Sequence, residues 1–258
     1  MENKKTVISV KNIKKTFQDR VVLEDINFDV HQGEIFVIMG GSGSGKSTLL
    51  RIMAGVIGFD SGNVSFNDKS LIDLSVEQKE QIRKRFGMCF QSAALLDFLT
   101  VEGNVSLPLK EHTGLDAKII SMISKMKLNL VGLAGFEDYL PSEISGGMKK
   151  RVGLARAIAM DPDIVFYDEP TAGLDPVVCA VVDQLIVDLT KKLKITSIVV
   201  THNMESVFRI ADRVAMLYKG ELLEVGTTEQ IRNSSNEIVQ QFINGNIDGP
   251  ILLNEVKE

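Results

Sequence analysis

"GEIFVIMGGSGSGKSTLLRIMAGV", Gly33 to Val56, decides how the rest of the chain is read. Ile35 to Met39 is an unbroken apolar run, as expected of a strand covered on both faces. A glycine-rich turn follows. Leu49, Leu50 and Met53 then recur at helical spacing. Between strand and helix lies Gly-x4-Gly-Lys-Ser, with Gly40, Gly45, Lys46 and Ser47 at its fixed positions. Each residue type has a physical reason. Glycines let backbone N–H groups curl around phosphate oxygens without side-chain clash. The helix behind presents its positive end to the same anion. A lysine reaches the β- and γ-phosphates, and a hydroxyl after it ligates Mg²⁺. The expected nucleotide-binding set is Gly40, Gly41, Ser42, Gly43, Ser44, Gly45, Lys46, Ser47 and Thr48, with ATP and Mg²⁺ as its ligands.

Working outward, Val7, Val10, Ile26, Phe28 and Val30 alternate with polar residues, which predicts half-buried strands in an N-terminal antiparallel β subdomain. From about residue 97 to 160 the pattern is mostly helical, punctuated by Pro108, Gly114, Gly132 and Gly135, and is long enough for a lobe of its own. Two more buried-strand runs follow, "DIVFYDEP" (Asp163 to Pro170) and "ITSIVVTHN" (Ile195 to Asn203). Val181, Leu185, Ile186 and Leu189 mark an amphipathic helix between them. "RVAMLYKGELLEV" reads as a hairpin turning at Lys219-Gly220. Strands alternating with helices imply an α/β fold with a mainly parallel sheet.

The chain has 258 residues, 44% of them hydrophobic, and a net charge of −5. That balance speaks against a general nucleic-acid binder, which shows a basic excess. Cys89 and Cys179 stand in no metal or redox spacing and read as reduced, packed thiols. No signal peptide is visible. No apolar run approaches the roughly 18 residues that suggest a membrane span, so a soluble protein is expected.

The strand "IVFY" delivers Asp168 and Glu169. Neighbours on an extended strand point in opposite directions, so one carboxylate can hold Mg²⁺ while the other faces the attacking water. Asp168 is assigned to the metal, through its water shell, and Glu169 to the water. His202 follows the next strand, where strand ends of a parallel sheet gather at one crevice, and is read as a γ-phosphate sensor. Gln91 ends another apolar run, and its amide can reach metal and water. His31 and His112 have no such support and are expected at the surface.

Taken together, these motifs resemble the ATP-binding subunits of ABC transporters. The phosphate loop, Gln91, "ISGGM" (Ile144 to Met148), "IVFYDE", "AGLD" (Ala172 to Asp175) and His202 stand in that family's order across roughly residues 5–225. The resemblance implies a P-loop ATPase over 1–235 with a helical subdomain at about 97–160. It also implies a head-to-tail homodimer in which Ser145, Gly146 and Gly147 of one copy meet the γ-phosphate held by the other, with Asp175 at the same seam. Phe17 falls where the family stacks an aromatic ring on adenine; an ordinary core ring is the other reading. Met148 departs from the family's usual glutamine.

"FQSAALLDFLTVEGNVSLPLKEHT", "LPSEISGGMKKRVGLARAIAMDPD" and "QQFINGNIDGP" are further similar to the ATPases of Mla-type phospholipid transporters. That likeness implies a place on the cytoplasmic face of an inner membrane, beside a permease, an MCE-domain subunit and a small regulatory subunit. Leu95, Leu96, Phe98 and Leu99 suit a groove for a permease helix, or the core of the helical lobe. The tail, 236–258, reads either as a free end or as an ordered dimer contact. Another transporter ATPase, for a solvent, a drug or another lipid, is the alternative. A soluble ABC protein acting on nucleic acid or ribosomes commonly has two cassettes or a coiled coil; this chain has one cassette and no heptads. A GTPase or small-molecule kinase does not explain "SGG" or His202.

Overall fold

The computed structural model describes residues 5–252. The α/β chain divides into two compact units, one formed by the chain up to Lys79 together with Ile198 onward, the other by Glu80–Ser197.

The first unit opens with a hairpin of β1 (Thr6–Phe17) and β2 (Arg20–His31). Ile8, Val10, Ile13, Leu23, Ile26 and Val30 lie in the core, with Val10 opposite Phe28; a register shift between Val10 and Ile13 breaks the strict alternation and returns Ile13 to the buried face. β3 (Ile35–Met39) is buried along its whole length, as its continuous apolar run requires. α1 (Lys46–Met53) follows and buries Leu49, Leu50 and Met53. β4 (Ser61–Phe66) and β5 (Lys69–Ser70) complete a four-stranded antiparallel sheet in the order β2-β1-β4-β5. α2 (Val76–Arg83) buries no residue and carries the chain into the second unit. His31 is half-buried rather than at the surface, because its backbone N–H is drawn onto the buried Glu34 carboxylate at 2.8 Å. His112 is exposed, as expected.

In the second unit β6 (Phe86–Cys89) pairs in parallel with β7 (Ile164–Asp168), and the Phe86 and Phe166 rings meet edge to face with their centroids 5.3 Å apart. α3 (Val101–His112), α4 (Ala117–Leu130) and α5 (Gly146–Ala157) form the helical stretch, with a tight turn at Pro141–Glu143 before α5. Pro108 does not end α3, which runs on to His112. The Thr100 cap and the buried stripe of Val101, Val105 and Leu109 hold the helix through it. Asn104 is buried and pins the preceding segment, accepting from the Leu96 N–H and donating to the carbonyls of Leu96, Leu99 and Thr100. Phe98 is 79% exposed, whereas Leu95, Leu96 and Leu99 are half-buried.

α6 (Pro176–Leu193) buries Cys179, Val182, Ile186 and Leu189. Val181, expected on the inner face, is 47% exposed. The core stripe runs at spacings of three and four from Cys179, one position on from Val181. β8 (Thr196–Thr201), wholly buried, starts in the second unit and ends in the first.

Back in the first unit, α7 (Met204–Ile210) leads to β9 (Arg213–Tyr218), parallel to β3, and β10 (Glu221–Thr227), antiparallel to β9. Lys219 and Gly220 turn this hairpin with φ of +48° and +84°, the left-handed pair a two-residue turn prefers. Arg213 locks strands together, donating to the Asp29 carbonyl and the Glu34 carboxylate while lying over the Phe36 ring. No helix among the described residues is long and apolar enough to cross a membrane.

α8 (Thr228–Arg232) and α9 (Glu237–Asn244) close the described chain. The segment after α9 folds back onto one buried side chain. The Gln241 amide accepts from the Ile251 N–H at 2.6 Å and donates to the carbonyls of Asn246, Ile247 and Ile251. A Cβ at Gly249 would lie 2.4 Å from that amide, so the turn there excludes a side chain. The tail is therefore ordered as far as Leu252, and residues 253–258 of the predicted tail lie outside the described residues. Gln241→Ala should raise amide exchange at Ile251 about ten-fold, the loss of roughly one hydrogen bond. Hydrogen–deuterium exchange reads this directly, and unchanged exchange would mean that something else holds the segment.

Candidate active site

Met39 ends β3 deep in the core, and α1 starts at Lys46, so the residues between must turn sharply in little space. Gly40, Gly43 and Gly45 have φ of +154°, +73° and +102°, which L side chains rarely adopt. At the two ends sterics are also decisive. A Cβ on Gly40 would lie 2.1 Å from the Leu217 carbonyl of β9. One on Gly45 would lie 2.8 Å from Leu23 Cδ2 and 2.9 Å from the Val22 carbonyl of β2.

Lys46 Nζ donates to the carbonyls of Gly40 at 2.8 Å and Gly41 at 2.7 Å. The ammonium thus masks two carbonyl dipoles that would repel an anion in the curl. Ser44 Oγ is buried without a hydrogen-bond partner. α1 begins with no side-chain cap and no acidic residue in its first turn, leaving its positive end unopposed by local side chains. A glycine-lined curl, an orphaned buried hydroxyl, a cation and an uncapped helix start fit a phosphate chain. Ser47 and Thr48 are half-buried in the first turn behind it.

Two more expected residues belong to this unit. Phe17 ends β1 and is 47% exposed, so it is not a core ring; Lys15 Nζ lies 5.0 Å from its centroid. His202 is exposed between two fixed points. Before it Thr201 is buried, and its hydroxyl accepts from the Asn203 N–H; after it the Asn203 side chain caps α7.

The second unit carries the other group. Asp168, the last residue of β7, is buried. Glu169 is also buried but leaves the strand with φ +48°. The alternation expected of an extended chain therefore stops at Asp168, and a left-handed residue sets the direction of the Glu169 side chain. Such a conformation costs a non-glycine residue about 1–3 kcal/mol and persists only where the surroundings enforce it. Gln91 is exposed just beyond β6.

Ser145 is the N-cap of α5, its hydroxyl accepting from the Met148 N–H at 3.3 Å. This explains how methionine is tolerated at 148: the cap uses a backbone N–H that any residue but proline supplies. Because Ser145 Oγ accepts inside the helix, its O–H can donate outward. Gly146 is exposed and Gly147 half-buried. A Cβ on Gly147 would meet Val178 Cγ1 at 2.6 Å, so the start of α5 packs tightly on the first turn of α6. Asp175 caps that turn, accepting from the N–H groups of Val177 and Val178 at 3.1 Å each. Ser145, Gly146, Gly147 and Asp175 thus lie around one pair of helix starts.

Two residues here were not anticipated. Lys150 is buried, and its ammonium donates to the Gln91 carbonyl and approaches the Glu169 carbonyl. Arg156 donates to the carbonyls of Ala93 and Ala94, both left-handed at φ +61° and +45°. The helical period held a signal, since Lys150, Leu154 and Ala157 share the buried stripe of α5. Burial pushes the Lys150 and Arg156 pKa values down. It pushes the Cys89 thiol up to about 11, in keeping with an inert, packed cysteine.

A family model described as "ABC transporter" matches residues 23–172. The chain is 42% identical over 245 residues to the intermembrane phospholipid transport system ATP-binding protein MlaF of Haemophilus influenzae, covering 95% of this chain and 93% of that one. It is 39% identical to a probable ribonucleotide transport ATP-binding protein of Mycobacterium leprae, covering 97% and 72%. Among solved structures, a dimeric post-hydrolysis state of the ATP-binding cassette MJ0796, bound to ADP and Pi, superposes with a TM-score of 0.78 at 30% identity, covering 85% of this chain and 98% of that one.

Lys46→Ala removes the loop's internal cation, the charge expected to meet a bound phosphate. ATP affinity should fall roughly 100-fold or more and turnover should vanish, given about 1.5–3 kcal/mol for each charged hydrogen bond. Titration with a fluorescent ATP analogue measures this; wild-type affinity would refute the cradle.

Proposed function

The chain belongs to the ABC transporter family and is an ATP-hydrolysing subunit, and from that premise we propose that two copies close head to tail around ATP to power phospholipid transport between membranes. The observation that carries the head-to-tail reading is the start of α5. Ser145, Gly146 and Gly147 offer an outward hydroxyl and helix-start N–H groups, the chemistry that binds a phosphate, and the second unit has no glycine-rich phosphate loop of its own.

In this reading the Gly40–Thr48 loop and Lys46 hold the phosphates, and Phe17 stacks on adenine. Ser47, the Gln91 amide and, through water, Asp168 would hold Mg²⁺, which when bound neutralises charge on the phosphate oxygens. Glu169 accepts a hydrogen bond from the attacking water and aims its oxygen at the γ-phosphorus. His202 donates to a γ-phosphate oxygen. The partner's serine and glycines donate to the same group, and Asp175 sets the seam. Water's oxygen bonds to phosphorus, the bond to the bridging oxygen breaks, and ADP, inorganic phosphate and a proton leave. Nearly all of this is positioning and charge placement, as phosphoryl transfer requires.

Residues 1–235 form the ATPase domain in this account, with 97–160 as its helical subdomain. The exposed Phe98, flanked by half-buried Leu95, Leu96 and Leu99, takes a helix of a membrane permease. An MCE-domain subunit and a small regulatory subunit complete the assembly at the cytoplasmic face of the inner membrane. The ordered tail, with Ile247 83% exposed, contacts the second copy. The mycobacterial relative's name favours a second reading, transport of ribonucleotides by the same ATPase architecture.

Glu169→Gln should bind ATP and stay dimeric while turnover falls about 100-fold or more, the scale of losing one water-positioning group. Wild-type turnover would remove Glu169 from that role. Affinity purification of the Glu169→Gln chain from membranes should bring down a permease, an MCE-domain subunit and bound phospholipid. Recovery of ribosomal or DNA-repair proteins would overturn the transport assignment, and a permease lacking lipid would favour the ribonucleotide reading. If the tail contacts the partner copy, Gln241→Ala weakens the dimer; undiminished dimerisation takes the tail out of the interface.

A further inference from the structure

α5 does more than present Ser145 and its glycines. Two of its cations grip the segment that carries Gln91. Lys150 Nζ donates to the Gln91 carbonyl at 2.5 Å, and the Arg156 guanidinium donates to the next carbonyls but one, Ala93 and Ala94. Ala93 and Ala94 are both left-handed without being glycine, a strained pair of residues that needs such a hold. The same Lys150 ammonium also donates to the Glu169 carbonyl, in a long hydrogen bond of 3.4 Å. Glu169 is the other strained residue of this unit's site, at φ +48°.

Lysine is an expensive choice for this place. It is almost wholly buried, and burial disfavours its charge. The Cys89 thiol beside it is neutral near pH 7 and does not balance the ammonium. The Glu169 carboxylate favours the charged form. An uncharged side chain of the same length would fill the same volume without the desolvation cost. What it would lack is a cation that draws two carbonyls, from residues 91 and 169, onto one point.

We infer that Lys150 is a positioning residue for ATP hydrolysis: its ammonium, seated against the main-chain carbonyls of Gln91 and Glu169, fixes the two side chains that set the metal and the attacking water. The inference rests on the roles given above to Gln91 and Glu169. It adds a mechanical consequence. The helix that begins at Ser145 is bonded through Lys150 and Arg156 to the Gln91–Ala94 segment and through Lys150 to Glu169. A displacement of α5 when its N-terminus meets the partner's phosphate therefore reaches both groups through bonded contacts, rather than through distance alone.

The test is Lys150→Met, which keeps length and apolar stem and removes the charge, beside Lys150→Arg, which keeps the charge. Lys150→Met should lower kcat at least ten-fold with KM for ATP and affinity for a fluorescent ATP analogue within two-fold of wild type, and with a cooperative thermal transition retained. Lys150→Arg should recover at least a third of the wild-type kcat. A folded Lys150→Met protein with kcat within two-fold of wild type overturns the inference. So does a loss that appears equally in ATP affinity, which marks a general packing defect. Should Lys150→Met not fold, Lys150→Gln is read by the same criteria. Glu169→Gln, measured alongside, separates the two possible failures. Full turnover there refutes the role of Glu169 itself, whereas lost turnover there with normal turnover in Lys150→Met refutes Lys150 alone.

Discussion

The turn from β3 into α1 has no room for a side chain at either end, and the first unit is organised around that fact. Gly40 lies against the Leu217 carbonyl and Gly45 against Val22 and Leu23. The loop is thus clamped between β9 and β2, and those strands must be held in place for the curl to exist. Arg213 does part of this by joining the Asp29 carbonyl, Glu34 and Phe36. Lys46 then satisfies the carbonyls of Gly40 and Gly41 from inside. A phosphate entering such a loop meets donors already in position, which is how an enzyme avoids reorganisation at the moment of reaction.

The second unit applies the same physics at two more helix starts. α5 and α6 are capped by their own side chains, Ser145 and Asp175, and are packed so closely that Gly147 has space for hydrogen only. Caps that accept from inside the helix leave the Ser145 hydroxyl hydrogen to point outward. Nearby, three non-glycine residues are held left-handed, Ala93, Ala94 and Glu169, and α5 reaches the carbonyls of all three with Lys150 and Arg156. Strain at a site is kept where the surroundings over-determine it, and here the surroundings are two cations on one helix, Lys150 buried and Arg156 half-buried.

The glycine-rich turn from β3 into α1 was legible because its residues have few other uses. A five-residue apolar run, two glycines at fixed spacing and a Lys-Ser pair leave little freedom, and β3, the turn and α1 fall where the pattern puts them. The hairpin at Lys219-Gly220 was legible for a similar reason, since its backbone needs left-handed residues. Other features were hidden by ambiguity of chemistry. Val181 and Val182 are the same residue type, so composition alone does not say which faces the core. Pro108 reads as a break, yet a strong buried stripe carries α3 past it. Lys150 was the least visible. In "GGMKKRVGLAR" three cations in a row suggest a solvated face, and only the helical period sets Lys150 apart from Lys149. Glu169 was found by its place after the strand, but its left-handed backbone is a product of tertiary contacts that no local pattern encodes.

The central claim is that one copy's phosphate loop and another copy's Ser145-Gly146-Gly147 make a single hydrolytic site. Complementation between two inactive chains tests it most directly. Ser145→Arg spoils the donor end and Lys46→Ala the cradle, so a mixed dimer retains one intact composite site. Each variant alone should be inactive, and an equal mixture should recover up to about a quarter of wild-type turnover if the symmetric pairs form at random. Ser145→Arg hydrolysing ATP at the wild-type rate on its own, or a mixture as inactive as its components, would contradict the account.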